Sequence, residues 1–156
     1  MIPTIVAQTY ETKLISFLKP ITFRPYLVKE EKILLMAQQG NDPKEVERAV
    51  KQILQACTFD AVEINKLPSF DVEFLFLQVR SKSVNNIVEL RYECKNRPAG
   101  QLPLDDGVCH QVETISINLD DIKIIVPDGH TNKIMVTDTI GATLRYPTTE
   151  EIEIFS

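Results

Sequence analysis

The chain has 156 residues, of which 44% are hydrophobic and 25% charged, and its 17 basic against 22 acidic residues give a net charge of −5. A chain of this length and composition is typical of one folded domain and argues against general disorder. Because the balance is acidic and no cluster of basic residues stands out, a nucleic-acid partner is not expected.

The chain contains an odd number of cysteines, Cys57, Cys94 and Cys109. The N-terminal sequence MIPTIVAQTYETK lacks the basic start and the apolar run of a secretory signal, which predicts synthesis in a reducing cytoplasm. A transmembrane helix needs about 20 consecutive apolar residues, and the uninterrupted apolar runs of this chain are far shorter, so no membrane span is expected.

In the N-terminal part apolar and polar residues alternate imperfectly, as in a β-strand. Residues 5–23 are rich in Thr, Ile, Tyr and Phe, and Pro20 restricts strand pairing to an edge or a break. The pattern predicts an extended arm or a short hairpin before the first helix.

The first helix is predicted to begin at Leu27 or Val28 and to end at Gln39. The Arg24-Pro25 step favours extended backbone just before it, and Gly40 is expected to be the C′ residue that ends it.

The second helix has the strongest start signal in the chain. Asp42 is predicted as N-cap, Pro43 as the first helical residue and Glu45 as the N3 residue of a capping-box variant. Six apolar residues then fall on one stripe: Val46, Ala49, Val50, Ile53, Leu54 and Cys57. The other faces are expected to carry Lys44, Glu47, Arg48, Lys51 and Gln52.

A third helix is predicted in SFDVEFLFLQVRSKSV, with Ser69 as N-cap and Asp71 as an acidic residue of the first turn. Val72, Phe74 and Phe76 alternate as a strand would, but Leu75 and Leu77 break that alternation. We therefore expect a helix that is buried on most sides and completes a three-helix block over residues 27–84.

From residue 87 onwards apolar residues recur at every second position, as in a β-strand. Turn signals follow at Arg97–Gly100, Asp105–Gly107 and Pro127–Gly129. This pattern predicts a small antiparallel β-sheet over residues 87–145. The fold class is therefore α+β in a single domain, with a helical part (24–84) and a β-rich part (85–147).

The last element, residues 148–156, has two interpretations. Thr148 and Glu151 have the spacing of a capping box, whereas EIEIF alternates as a strand would. Because this element begins so near the end, we expect that the natural chain continues or that a partner completes the element.

Cys94, Cys109 and His110 form the one group with the character of metal ligands, as in a zinc ribbon. Their spacing fits poorly, because Arg97 stands where a CxxC motif would have its second cysteine. A fourth ligand would have to come from Asp105, Asp106 or His130. A plain hairpin with two free thiols is the favoured interpretation, and a zinc-bearing adaptor is the alternative.

No pattern of catalytic residues is present. Cys109 and His110 are neighbours and would point to opposite faces of a strand, so they do not form a nucleophile and base. The acidic pairs at 120–121 and 150–151 have no second polar cluster beside them, and there is no glycine-rich phosphate loop. We therefore expect no enzymatic activity and no cofactor.

Two short segments are candidates for partner contacts. Arg24 and Tyr26 lie in FRPYLV, and Arg145 and Tyr146 lie in LRYPTT, where extended backbone meets a helix start. Ion pairs within the chain are the favoured role for the two arginines, and contact with another subunit is the alternative.

Four stretches carry a family resemblance: FRPYLVKEEKILLMA, the helix end ILQAC, INKLPSFDVEFLFLQVRSKSVNNIVEL and TIGATLRYP. They resemble the T-even-type bacteriophage baseplate hub family, which comprises hub subunits and hub assembly proteins, and the likeness covers about residues 20–150.

The resemblance implies a tail protein of a contractile phage, made in the host cytoplasm, that acts in building the baseplate hub as a component or as an assembly factor. It implies other baseplate or hub proteins as partners, with an oligomer within the tail assembly as a further possibility. It carries over no catalytic residues. Members of this family can be longer than this chain.

Overall fold

A computed structural model describes residues 8–17, 19–96 and 110–155 of the chain. It confirms the α+β class. The helices are α1 (Val28–Gln39), α2 (Pro43–Cys57), α3 (Ser69–Ser83) and α4 (Thr149–Phe155). The strands are β1 (Tyr10–Thr12), β2 (Ile21–Phe23), β3 (Ile87–Glu93), β4 (Val112–Asn118), β5 (Lys133–Met135) and β6 (Gly141–Thr143). Short 3-10 turns cover Ile64–Lys66 and Leu119–Asp121.

The N-terminal arm is a short hairpin that packs on the helices. Strands β1 and β2 are antiparallel, with Tyr10 opposite Phe23, and the two rings stack with their centroids 5.8 Å apart. Ile21 and Phe23 are buried in the core. The predicted hairpin therefore serves as one wall of the helical block.

Helix α1 begins where the sequence predicts but ends differently. Gly40 has right-handed backbone (φ −68°), and the left-handed residue is Asn41 (φ 52°). The prediction of Gly40 as the C′ residue was therefore wrong by one position. Asparagine tolerates this conformation because its short polar side chain makes local hydrogen bonds.

Helix α2 begins at Pro43 after the predicted Asp42 N-cap and buries most of the predicted stripe, but no hydrogen bond from the Asp42 N–H to Glu45 completes a capping box among the described residues. The Asp42 side chain accepts a hydrogen bond of 2.9 Å from the Lys44 N–H. Ile53, Leu54 and Cys57 are almost completely buried. Lys51 was expected on a face other than the apolar stripe, yet it is only 9% exposed, and its ammonium lies 2.8 Å from Glu47 Oε1. The long aliphatic stem of lysine allows it to be covered in this way.

Helix α3 is the centre of the core, as predicted. Its N-cap position is held by Pro68, and Ser69 is the first helical residue, so the prediction of Ser69 as N-cap was wrong by one position. The core cluster contains apolar residues of the arm, of α2 and α3, and of the segment between these two helices: Leu14, Ile21, Phe23, Ile53, Leu54, Cys57, Val62, Ile64, Leu67, Val72, Leu75 and Val79. Helix α1 contributes the partly buried Leu34, which packs against this cluster.

The β-rich part differs from the single sheet that was expected. Among the described residues, β3 pairs only with β4 and β5 only with β6, so two separate antiparallel hairpins are present. The exposed segment between them contains Pro127, which cannot donate to a ladder, and the turn at Gly129 (φ 77°).

The C-terminal element is a helix, α4, which begins with the predicted capping box. Thr148 N–H donates to Glu151 Oε2 at 3.0 Å, and Glu151 N–H donates to Thr148 Oγ1 at 3.2 Å. Thr149 ties this helix back to the core, since its N–H donates to Leu67 O and its hydroxyl to Asn65 O, both at 3.0 Å.

Candidate protein interaction site

An open groove of about 940 Å³ lies between three parts of the chain. The arm, the loop before α3 and the segment from β5 to α4 each contribute to it. Most of its lining is apolar, and it includes Phe17, Leu67, Ile134, Leu144 and Tyr146. An apolar groove with a few polar groups at its margin is a common form of binding surface.

Tyr146 stands at this groove and is held from two sides. Its ring packs edge to face on Phe70, with centroids 4.8 Å apart and an interplanar angle of 81°. Its hydroxyl lies 2.5 Å from His130 Nε2. The side chain nevertheless remains 40% exposed. A positioned, half-exposed tyrosine of this kind is typical of residues that anchor protein interfaces.

Arg145 lies beside Tyr146 and pairs with Glu151 in α4. Its Nη1 donates to Glu151 Oε2 at 2.8 Å, and its Nη2 donates to Oε1. The hydrogen bond from Arg145 and the N–H of Thr148 lower the pKa of Glu151 to about 2. The Arg145 side chain is 67% exposed, so the paired guanidinium still faces solvent.

Arg24 is in a different environment, because its side chain is only 12% exposed. Its Nη2 donates to Glu30 Oε1 at 3.1 Å and its Nη1 to Pro25 O at 2.9 Å. The other oxygen of Glu30 accepts the Leu27 N–H at 2.7 Å. Arg24 therefore holds the start of α1 through an ion pair within the chain.

Tyr26 lies near Arg24 and is packed against the core cluster. Its N–H donates to Ser83 Oγ at 2.9 Å, which joins the start of α1 to the end of α3. Burial raises the pKa of its phenol. Of the four residues predicted as partner contacts, Arg145 and Tyr146 line the groove, whereas Arg24 and Tyr26 lie in packed surroundings. Their role in partner binding stays a prediction.

The β3–β4 hairpin presents a second apolar surface. In its register Val88 faces Ile117 and Leu90 faces Ile115, so these side chains share one side of the hairpin with Tyr92. Leu90 and Ile115 are 45% and 49% exposed. The opposite side is mainly polar, with Ile87 and Val112 as its apolar members, so the hairpin is amphipathic and part of its apolar side is exposed.

The predicted zinc ligands are only partly within the described residues. The His110 N–H donates to Cys94 O at 3.0 Å, which brings these two residues together at the end of the hairpin. His110 Nδ1 lies 2.5 Å from Glu93 Oε1. Cys109, Asp105 and Asp106 lie outside the described ranges, and His130 contacts Tyr146. Within those ranges no group of three or more His, Cys, Asp or Glu residues is placed to hold a metal ion.

Asp120, one of the acidic residues considered for catalysis, joins the hairpin to α3. Its carboxylate accepts from Lys82 Nζ at 2.8 Å and from Asn86 Nδ2 at 3.1 Å, and the first of these bonds lowers its pKa most. Lys82 and Asp120 are 38 residues apart, and no spacing pattern in the sequence signals their contact.

Sequence reasoning also missed the groove and the hydrogen bond of 2.9 Å from the Ser16 N–H to Asp71 Oδ2, since both depend on how distant segments pack.

None of the helices in the described ranges is both long enough and apolar enough to span a membrane.

Comparison with known proteins gives one result. The sequence matches the family described as T4 bacteriophage base plate protein over residues 7–156. No curated protein and no solved structure shows a significant match to the chain.

Proposed function

We propose that this chain, which belongs to the T4 bacteriophage base plate protein family, is a non-enzymatic structural or assembly protein of a contractile phage tail. It acts in forming the central hub of the baseplate through contacts with other baseplate proteins. It is made in the host cytoplasm and works there during assembly, or it enters the tail as a hub component.

The observation that carries this proposal is the family match over residues 7–156. Two features of the described structure support it. The groove beside Tyr146 is lined mostly by apolar side chains, and the β3–β4 hairpin exposes one apolar side. Exposed apolar surfaces of this kind mark sites that a neighbouring protein covers.

We assign the hub contact to the groove, with Tyr146 and Arg145 as its anchors. Tyrosine and arginine are enriched among the residues that contribute most to binding at protein interfaces. The environment of Arg24 and Tyr26 favours a structural role for that pair, because both are held by hydrogen bonds within the chain.

Co-expression with each hub protein of the same phage, followed by affinity capture and size-exclusion chromatography, tests the proposal. We expect a stable complex with at least one of them. Tyr146→Ala should weaken this complex by about tenfold or more, as expected for an interface anchor. Arg48→Ala, on the exposed outer side of α2, is the matched control and should leave the complex unchanged. Failure of the unmodified chain to bind any hub protein would contradict the proposed function.

A zinc-bearing adaptor is the alternative, and it rests on the adjacency of Cys94 and His110 at the end of the hairpin. Structural zinc normally has four protein ligands and is bound tightly enough to survive purification. Metal analysis of the purified chain decides this alternative. About one zinc per chain would favour it, and less than about a tenth would exclude it.

A further inference from the structure

Strand β3 has one edge paired with β4 and a second edge that no other strand in the described part of the chain covers. The strand has seven residues, and its register with β4 is continuous from Ile87 to Glu93 without a bulge. It contains no proline and no lysine. Proteins usually protect an open edge with such residues or with bulges, because an unprotected edge pairs readily with another strand.

The hydrogen bonds at the two ends of the hairpin identify the backbone groups on this open edge. The Leu119 N–H donates to Asn86 O at 2.7 Å, and the Cys94 N–H donates to Gln111 O at 2.8 Å. Even-numbered residues of β3 therefore form the hydrogen-bonded pairs with β4, and odd-numbered residues direct their N–H and C=O outwards. In agreement, the Ile87 N–H donates to a side chain of the preceding loop at 3.1 Å.

We propose that β3 pairs antiparallel with β3 of a second copy of this chain, about a two-fold axis at Leu90. In this register Glu89 is directly opposite Arg91 of the second copy, and the symmetry repeats the pair. Both residues are odd-numbered, so the charged pair coincides with a hydrogen-bonded backbone pair. Leu90 meets Leu90, and Val88 meets Tyr92, at the non-hydrogen-bonded positions where side chains approach most closely.

Charge selects this register over its neighbours. A two-fold axis at Glu89 places two carboxylates directly opposite each other, and an axis at Arg91 does the same with two guanidinium groups, which is unfavourable. None of the ion pairs within the described chain involves Glu89 or Arg91. The axis at Leu90 also lies at the centre of the seven-residue strand, so the two copies overlap along its whole length.

Pairing also explains how the hairpin is stabilised. A two-stranded hairpin is marginal in water, whereas three or more strands with an apolar face are stable. The paired hairpins form a four-stranded sheet, in which the exposed Leu90 (45%) and Tyr92 (68%) of each copy contact each other along one side. This interface is separate from the groove, so it does not depend on binding of a hub protein.

Sedimentation equilibrium of the purified full chain tests self-association. At about 100 µM we expect dimers, since even weak specific complexes form in the micromolar range. Glu89→Arg and Arg91→Glu each place like charges opposite each other at both symmetry-related positions of the dimer. Each change should weaken the dimer at least about tenfold. The double variant with both changes restores opposite charges and should recover the dimer. Arg48→Glu, an equal change of charge on the exposed side of α2, is the control and should have no effect.

A disulfide trap tests the register itself in a background with Cys94 and Cys109 changed to serine. Leu90→Cys places two thiols across the axis at about 4.5 Å between Cα atoms, which is within disulfide range. Ile115→Cys is the matched control, since it is equally exposed but lies on β4. Three strand spacings of about 4.8 Å separate its two copies, which is beyond disulfide reach. We expect a covalent dimer only with Leu90→Cys.

A chain that is monomeric at this concentration would overturn the proposal. So would a dimer that is insensitive to both single charge reversals, or one that the double variant does not recover, because the contact would then lie elsewhere or in another register. Far-UV circular dichroism of each variant confirms that it is folded. An unmodified chain that forms the dimer but binds no hub protein would contradict the proposed function alone.

Discussion

The carboxylate of Asp71, in the first turn of α3, accepts hydrogen bonds from both the backbone N–H and the hydroxyl of Ser16, 55 residues earlier. The N–H bond is 2.9 Å long, and the second carboxylate oxygen accepts the Ile15 N–H at 3.1 Å. Asp71 is completely buried. This one side chain therefore ties the N-terminal arm to the central helix, and it also lies close to the segment that lines the groove.

Asp71→Asn should destabilise the fold by about 2–3 kcal/mol, because hydrogen bonds to a charged acceptor are strong and the amide places a donor near other donors. Urea denaturation followed by far-UV circular dichroism measures the change in the free energy of unfolding. Glu73→Gln, at an exposed position of the same helix, is the control and should change it by less than about 0.5 kcal/mol. Equal stabilities for the two variants would contradict the role of Asp71.

Glu30 should make part of the stability dependent on pH. Burial by itself raises its pKa, but the hydrogen bonds from the Leu27 N–H and from Arg24 outweigh burial, so the net pKa is lowered. Near its ordinary pKa of about 4.3 the unfolded chain therefore binds more protons than the folded chain. The ionised Glu30 therefore contributes to the free energy of unfolding above about pH 4.3, and this contribution is lost as the pH falls through the lower pKa that Glu30 has in the folded chain.

Glu30→Gln should thus cost about 2–3 kcal/mol at pH 7, since it leaves the mostly buried Arg24 without its counter-charge. The difference from the unmodified chain should shrink below about pH 4, where the carboxyl group becomes protonated. Urea midpoints measured from pH 7 to pH 3 give this comparison. A difference that stays constant over the whole range would show that the ion pair contributes nothing.

Thr149→Val tests the link between α4 and the core. The hydroxyl is buried and donates to Asn65 O at 3.0 Å, and valine keeps the shape of the side chain without the donor. We expect a loss of about 1 kcal/mol and faster amide exchange in α4. Hydrogen exchange with mass spectrometry provides the measurement. Thr139→Val, at an exposed loop position, is the control, and exchange in α4 that is the same in both variants would refute the link.

Cys57 should be unreactive in the folded chain. It is completely buried, and burial raises the pKa of its thiol to about 11, so almost no thiolate forms at pH 8. Iodoacetamide at pH 8 followed by peptide mapping should modify the partly exposed Cys94 in the native protein and Cys57 only after unfolding in urea. Rapid modification of native Cys57 would mean that α2 is not packed as described.

Short-range signals in the sequence predicted the elements well. The Asp42-Pro43 start of α2 and the pair of Thr148 and Glu151 at α4 are confirmed, because a capping side chain bonds to backbone groups two or three residues away. The same signals misplaced the end of α1 and the N-cap of α3 by one residue. At a helix boundary either of two adjacent residues can take the terminal position, and packing decides which one does.

Contacts between distant segments could not be read from the pattern. Asp71 was identified only as a first-turn acidic residue, and nothing local indicates that Ser16 would reach it. The division of the β-rich part into two hairpins has the same cause. Alternating apolar residues indicate that strands form, but they do not specify which strand each one pairs with.

The sequence by itself determined the fold class, the three-helix block and the buried stripe of α2, because each depends on residue types at short, regular spacing. It also determined the family, through the match over residues 7–156. Only the tertiary structure decided that Arg24 is enclosed while Arg145 faces solvent, that a groove opens beside Tyr146, and that no other described strand covers the second edge of β3. Those properties depend on which surfaces remain exposed after the chain has packed, and packing joins residues that are far apart in the sequence.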